Sequence, residues 1–383
     1  MRHSFKMTLC SKMTVEPVLF LFMLAMFMQY TVFQELIYQT VCLSNFNASI
    51  CDALNEKDNR QSLIQVQREA SDWVMWASIS FAIPSIIATN LLGSWGDTYG
   101  RKLPLVLPSL GTAVGTIVFV SASVFGTTTL PWLLIGSALS GISGGFVGCV
   151  MAVTSYISEV SNREARTSRV SLLEISFSLA AAIGPTSAAY LSNAVNIDAV
   201  FMVCLTCHAI LIAYVVLYLS DVRRSLQNPV NVTWREVLGT NHLIGAVRSC
   251  FRYREDNRRS SLICLLICSL IVMTVVEVPP VYMLGYLCMP AIRSLISKQV
   301  EADELGKVFA FVAMLQNLST LFGSLTFNGL YPITRSILPG LVFEIGACLL
   351  LIPLLIITFG PQWDVPQIDY ANVQEPNVEE EEG

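Results

Sequence analysis

LPLVLPSLGTAVGTIVFVSASVFGTTTLPWLLIGSALSGISGGFVGCVMAVTSYIS, residues 103–158, contains no Asp, Glu, Lys or Arg. A helix crosses the hydrocarbon of a bilayer in about 20 apolar residues. The stretch is therefore long enough for two crossings, and Phe125-Gly126-Thr127-Thr128-Thr129-Leu130-Pro131 supplies the turn between them. Lipid offers no partners to backbone N–H and C=O groups, so such runs must satisfy them internally as α-helices.

The rest of the 383 residues follows the same pattern. The chain is 54% hydrophobic and 13% charged, with a mean hydropathy of +0.59. A soluble domain needs far more charge on its surface. Spans are expected near 15–35, 73–92, 104–125, 132–155, 170–192 and 199–219, followed by a polar segment at 220–259. Apolar stretches then lie near 260–298, 307–328 and 337–359, and residues 360–383 form a tail with Pro361, Pro366 and Pro376. The net charge of −5 comes largely from Glu379-Glu380-Glu381-Glu382 in that tail, a run of the solvated type. Nothing in the composition points to nucleic acid. No metal cluster, nucleophile–base pair or phosphate loop stands out, so the chain reads as neither an enzyme nor a cofactor protein. Of 11 cysteines, Cys149, Cys204, Cys207, Cys264, Cys268, Cys288 and Cys348 lie in apolar spans, where Cys behaves as a small hydrophobe. Cys204 and Cys207 form a C-x-x-C, but inside a membrane helix, where a redox reading is poor.

Basic residues in short loops stay cytoplasmic. Arg101 and Lys102 mark loop 93–102, Arg163, Arg166 and Arg169 mark loop 156–169, and eight arginines mark 220–259, whereas loops 126–131 and 193–198 have none. The N-terminus, with Arg2, Lys6 and Lys12, is then inside as well, and the first apolar stretch is a retained helix rather than a cleaved signal. The loop 36–72 falls outside. It carries Asn47-Ala48-Ser49, a glycosylation acceptor on the correct side. Asn231-Val232-Thr233 would be cytoplasmic and Asn317-Leu318-Ser319 within a span, so both are chance matches. Cys42 and Cys51 share the outer loop and could pair there, although their partners cannot be read from spacing. The stretch 260–298 is too long for one helix at ordinary tilt. Glu277, Pro279 and Pro280 interrupt it, which suggests a hairpin of two short spans, 260–277 and 279–297. That gives an all-α membrane protein with about ten transmembrane helices, six before the basic loop and four after it, and both termini inside. A single bent helix there would give nine and an external tail.

Gly93-Ser94-Trp95-Gly96-Asp97-Thr98-Tyr99-Gly100-Arg101-Lys102 joins the second and third spans. It resembles the G-x-x-x-D-x-x-G-R-[RK] signature of the major facilitator superfamily, with Thr98 where a second basic residue usually stands. Glycines permit a tight turn and close helix approach. Asp97, Arg101 and Lys102 can cap and pair at a cytoplasmic helix end. The resemblance implies that Gly93, Asp97, Gly100, Arg101 and Lys102 act as a conformational latch between two helix bundles.

A closer resemblance, to solute carrier family 46, rests on Val15-Glu16-Pro17, Ser168-Arg169-Val170-Ser171-Leu172-Leu173-Glu174, Met289-Pro290-Ala291-Ile292-Arg293-Ser294-Leu295-Ile296-Ser297-Lys298, Phe327-Asn328-Gly329-Leu330-Tyr331-Pro332 and Pro339-Gly340. That family includes the proton-coupled folate transporter and lysosomal relatives. It implies a multi-pass carrier, in the plasma or lysosomal membrane, whose partners are protons and a small organic, often anionic solute. It also implies twelve spans. Here sequence resembling span seven ends near Glu277 and is followed almost at once by sequence resembling span ten, so the equivalents of spans eight and nine are missing. On that reading residues 1–219 form an N-terminal six-helix bundle, 220–259 a cytoplasmic basic loop, 260–359 an incomplete C-terminal bundle and 360–383 a cytoplasmic acidic tail. The missing part also holds the family's outer cysteine partner, which would leave Cys51 unpaired. The same loss motivates an alternative: a shortened, non-transporting membrane protein with a regulatory or interaction role.

Ionisable groups inside a bilayer are costly and usually functional or paired. Glu174 lies one turn inside span five, where the resemblance implies a proton-coupling acid. Burial penalises the charged form, so a carboxyl there can load and release protons. The plainer reading pairs it with Arg169 or Arg166. Arg293 stands in the matching P-x-x-R, with substrate attraction or proton tuning implied; the plainer reading is a snorkelling Arg near a helix end. Gly145 replaces the folate transporter's acid in span four, and Val276, followed by Glu277, its histidine in span seven, which argues against folate. His208 is expected to be a satisfied polar residue between helices, Glu35 and Glu344 are weaker proton candidates, and Gly184-Pro185 is expected to bend span five.

Overall fold

The computed structural model describes residues 14–54, 56–125, 130–161, 163–221, 241–253, 258–276, 292–293, 295–296, 299–300, 305–334, 338 and 340–359. All regular structure among them is helical. The helices are α1 (Glu16–Asn45), α2 (Ala48–Asp52), α3 (Arg60–Tyr99), α4 (Lys102–Phe125), α5 (Leu130–Ile142) and α6 (Gly145–Val160). They continue with α7 (Arg163–Ala194), α8 (Ile197–Tyr218), α9 (Asn241–Phe251), α10 (Arg258–Val276), α11 (Leu305–Thr334) and α12 (Leu341–Phe359).

Seven helical segments among the described residues are long and apolar enough to cross a membrane. They run over Glu16–Asn45, Arg60–Gly93, Lys102–Phe125, Leu130–Ile157, Ser168–Ala194, Ile197–Tyr218 and Arg258–Val275. The protein is an all-α, multi-pass membrane protein. α11 is 30 residues long, and Phe343–Phe359 is a shorter apolar helix. The second limb of the expected hairpin, with most of 277–298, lies outside the described residues, as do the turn at 126–129 and the tail. Large apolar side chains such as Ile117, Ile175, Ile210, Leu217 and Leu354 are more than half exposed, as a lipid-facing surface requires.

The segment 36–72 differs from the loop expected there. α1 continues to Asn45 and α3 begins at Arg60, so both helices are longer than the roughly 20 residues of a span and leave only a short connection. Cys42 and Cys51 are joined by a disulfide across that connection, with their Cα atoms 5.9 Å apart. Cys51 is thus paired within its own segment, and no partner from the second half is needed. Asn47 is exposed in extended backbone just before α2, so its amide is open to glycosylation. Asn47→Gln is expected to raise the gel mobility of the mature protein by one glycan; unchanged mobility on treatment with peptide N-glycosidase would refute this.

Small residues set the helix spacing, as expected where lipid gives no hydrophobic drive for association. A side chain on Gly115 would fall 2.6 Å from the carbonyl oxygen of Gly136, so α4 and α5 touch backbone to backbone. Gly184 gives α7 a close approach to α1 at Phe27, and α7 is one continuous helix through Pro185. The fourth span is interrupted between α5 and α6. Gly144 and Gly145 have φ of +90° and +50°, values that L side chains rarely adopt. The carbonyl of Gly144 accepts the N–H of Gly148 at 2.9 Å and, in addition, a hydrogen bond from buried Ser85 Oγ of α3 at 3.1 Å. α1 packs chiefly on α7 and α8, while α3 packs on α5 and along α11. One core, including Phe22, Leu173 and Phe177, continues into the second half through Leu262, Leu265, Ile292 and Val308.

Candidate functional site

A cavity of about 140 Å³ opens between α1, α3, α4, α5 and α6 beside that interruption. Its walls are aromatic (Phe22, Tyr30, Phe33, Phe81, Phe119 and Phe146), with Gln29 and the hydroxyls of Ser78, Thr112, Ser137, Ser140 and Thr320. No charged side chain among the described residues lines it. Gln29 is oriented by Thr116, whose hydroxyl donates to its Oε1. Among the described residues, Thr320 alone comes from the second half. At Gly145 a Cβ would overlap the ring of Phe81, so an acidic side chain there would have to displace a cavity wall. This is the physical side of the departure from the folate transporter's pattern.

Glu174 and Arg293 are brought together. Arg293 Nη1 lies 3.8 Å from Glu174 Oε1, and both residues are buried, at 3% and 8% exposure. Phe177, one turn beyond Glu174, presents its ring 5.9 Å from the guanidinium carbon, a cation–π distance. Glu174 Oε2 has no partner among the described residues. Arg293 is therefore not a snorkelling arginine. It is a buried charge held on the first half by a carboxylate and an aromatic face. Nor is Glu174 the partner of Arg169. Arg169 binds Glu16 instead, Nη2 to Oε1 at 3.1 Å, and Thr14 Oγ1 at 2.6 Å. Glu16 is fully buried, and its Oε2 accepts the N–H of Thr14 at 2.6 Å. The side chain of Arg166 lies outside the described residues.

The glycine-rich segment is also built up by contacts. Arg101 donates through Nε and Nη2 to Glu159 Oε1 of α6, at 3.1 and 2.7 Å. Gly100 has φ +123°, and a Cβ there would sit 2.5 Å from Asp221 Oδ1. The turn thereby brings the Asp221 carboxylate to the N–H of Lys102, 3.2 Å away, while Lys102 Nζ donates to the carbonyl of Val216 at 2.8 Å. Gly93 faces Met151 of α6. The side chain of Asp97 lies outside the described residues.

Of the weaker candidates, His208 is fully buried, its Nδ1 is 2.9 Å from Ser109 Oγ, and its ring meets Phe22 edge-on at 5.4 Å. Only one ring nitrogen is satisfied, since Nε2 has no partner among the described residues. Glu35 is exposed and bonds Gln39, and Glu344 is exposed, so neither belongs to the cavity. Sequence reading missed Phe177, Glu159 and Asp221, whose roles depend on partners distant in the chain. No group of three or more His, Cys, Asp or Glu among the described residues could hold a metal.

The sequence model of the Major Facilitator Superfamily matches residues 17–287. The chain belongs to the major facilitator superfamily. Within the superfamily it is similar to the lysosomal proton-coupled steroid conjugate and bile acid symporter SLC46A3 of Rattus norvegicus, with 23% identity over 428 positions that cover 88% of this chain and 92% of that one. It is also similar to the proton-coupled folate transporter of Rattus norvegicus, 23% identical over 420 positions, covering 90% and 91%. Both alignments are longer than the 383 residues of this chain, so these relatives carry residues within the aligned region that this chain lacks. Solved superfamily structures share the fold. They include the human organic anion transporter MFSD10 (TM-score 0.54, 14% identity, 90% of this chain and 97% of that one) and a D-xylose–proton symporter (0.54, 13%, 92% and 99%).

Proposed function

We propose that this chain is a secondary active transporter that carries a small organic solute, anionic in class, together with protons by alternating access. The observation that carries the reading is the buried Glu174–Arg293 pair, which ties the first six spans to the second half. A buried ion pair is held only while both charges are present. A proton on Glu174 cancels its charge, releases Arg293 from the carboxylate, and leaves a cation on the Phe177 face ready for an anionic group. Solute and proton thus act on one contact, and that contact joins the parts that must separate when access alternates. The aromatic cavity of the first half suits the apolar body of such a solute. The printed names of the relatives, proton-coupled carriers of steroid conjugates, bile acids or folate, favour the same class, and a plasma or lysosomal membrane is the corresponding residence. No observation favours the non-transporting alternative.

Gly93, Asp97, Gly100, Arg101 and Lys102 are assigned the latch. The Arg101–Glu159 pair and the Lys102 contacts fix the basic end of the first bundle, so that it moves as one body. The test is uptake of a labelled steroid sulfate and a labelled bile acid by surface-expressed protein, at external pH 5.5 and 7.4. Uptake should be faster at the acid pH, and Glu174→Gln should remove that dependence. No uptake above background, or a Glu174→Gln variant with the wild-type pH profile, would overturn the reading.

A further inference from the structure

We infer that Asn317 is a specificity-determining residue of the transport path, whose amide hydrogen-bonds a hydroxyl or carbonyl group of the solute. The inference rests on the transport reading and extends it to what the solute must carry.

Four residues of α11 place Asn317. Positions three and four apart on a helix share a face, so Ala313, Asn317, Thr320 and Ser324 form one stripe. Thr320 lines the cavity. Ala313 packs with Leu92, Val147 and Met151 of α3 and α6, a layer that touches Phe146 of the cavity wall and lies nearer the Arg101 end of those helices. Asn328 lies at the opposite end, where its carbonyl faces Ser71 Oγ at 3.4 Å. Asn317 therefore sits one turn beyond the cavity wall, between Thr320 and that layer.

Its side chain is fully buried, and neither Oδ1 nor Nδ2 has a partner among the described residues. Buried amides nearly always have partners, because an unpaired donor and acceptor both cost stability. The neighbouring polar residues of α11 are used in packing against α10. Gln316 Nε2 donates to Met273 Sδ at 3.7 Å, and Ser319 Oγ to the carbonyl of Leu270 at 3.2 Å. Asn317 has no such use, although a leucine has the same heavy-atom branching and no polar atoms to desolvate. The cavity, at about 140 Å³, is also smaller than the roughly 300–1,000 Å³ that encloses a drug-sized molecule. A ring-system solute needs it to lengthen. Lengthening along the α11 face, as the Leu92–Val147–Met151–Ala313 layer opens, reaches Asn317 first. The amide then finds in the solute the donor and acceptor that it lacks in the closed protein. A solute fitting these walls is an apolar ring system carrying hydroxyl or carbonyl groups.

The test uses the full chain in lipid nanodiscs with two probes of equal ring skeleton and carboxylate, the bile acid cholate and its hydroxyl-free parent 5β-cholanate. Dissociation constants and ligand-free melting temperatures are measured, with uptake of both probes by cells in parallel. The wild type is expected to favour cholate by roughly ten-fold or more, since a site built to bond a hydroxyl discriminates against its absence. In Asn317→Leu the preference should fall to within about two-fold with an equal or higher melting temperature, and Asn317→Ser should retain an intermediate preference. Equal binding of both probes by the wild type, undiminished preference in Asn317→Leu, or a melting temperature lowered by several degrees in that variant would each overturn the inference. If the wild type binds neither probe, the inference and the transport reading fall together. Binding and discrimination without uptake overturn the transport reading alone.

Discussion

Arg293→Ala is expected to abolish uptake and to destabilise the protein by about 3–5 kcal/mol, the usual cost of removing one partner from a buried ion pair. The residue left behind explains the size of the effect. Glu174 is 8% exposed, its Oε2 already lacks a partner, and Arg293 supplies the charge that faces it. Without the guanidinium the carboxylate is uncompensated. It can only persist by taking up a proton, which fixes the protein in the state that protonation favours. A double-mutant cycle makes the point quantitative. Glu174→Gln should recover much of the stability lost in Arg293→Ala, because the orphaned charge disappears, while transport stays absent. Melting temperatures in nanodiscs measure the first part and uptake the second. Simple additivity of the two single losses would show that the 3.8 Å approach is not an energetic pair.

Gly141→Val is expected to prevent accumulation of folded protein at the membrane. The position lies in α5, where an added Cβ would overlap the carbonyl oxygen of Phe81 in α3. The obstacle is backbone, so no rotamer change relieves it, and the two helices must separate. Overpacking usually costs about 1–3 kcal/mol, and here separation also strips the close contacts on which helix association in lipid depends. Gly141→Ala should be milder but still deleterious. By contrast, a side chain at Gly245 meets nothing within 4 Å, and Gly245→Ala serves as a control that should accumulate normally. Surface biotinylation reads all three; normal levels of Gly141→Val would refute the close-packing argument.

The membrane helices of the first half were legible because an uncharged run such as 103–158 permits almost nothing else. The outer segment was not. Residues 36–45 and 60–72 are polar enough to read as loop, yet they continue α1 and α3 because each is an extension of a helix already nucleated in lipid. The pairing of Cys51 with Cys42 stayed open for the same reason, since it is the extended α1 that carries Cys42 to within reach. Within the site, Glu174 and Arg293 were legible as costly charges, but their partnership was not. Arg169 stood only five residues from Glu174 and seemed the nearer partner by sequence. The fold gives Arg169 to Glu16, over 150 residues away in the chain. Asn317 was legible only as a chance match to a glycosylation pattern, because a polar residue in a span reads as ordinary until its neighbours are known to be occupied.

The cavity has a further consequence, for inheritance. Among the described residues, Thr320 is the single lining residue that follows Phe146 in the chain. The outline of the aromatic pocket is thus written mostly in the first 146 residues, whereas Asn317 and Arg293, the groups proposed to meet the solute's polar and charged atoms, come from the later ones. A chimaera that joins the first 146 residues to the remainder of a relative should keep this chain's fit to a ring system while taking on the relative's response to hydroxyl and acidic groups. Outline and polar decoration of one solute would then be inherited from separate stretches of the sequence.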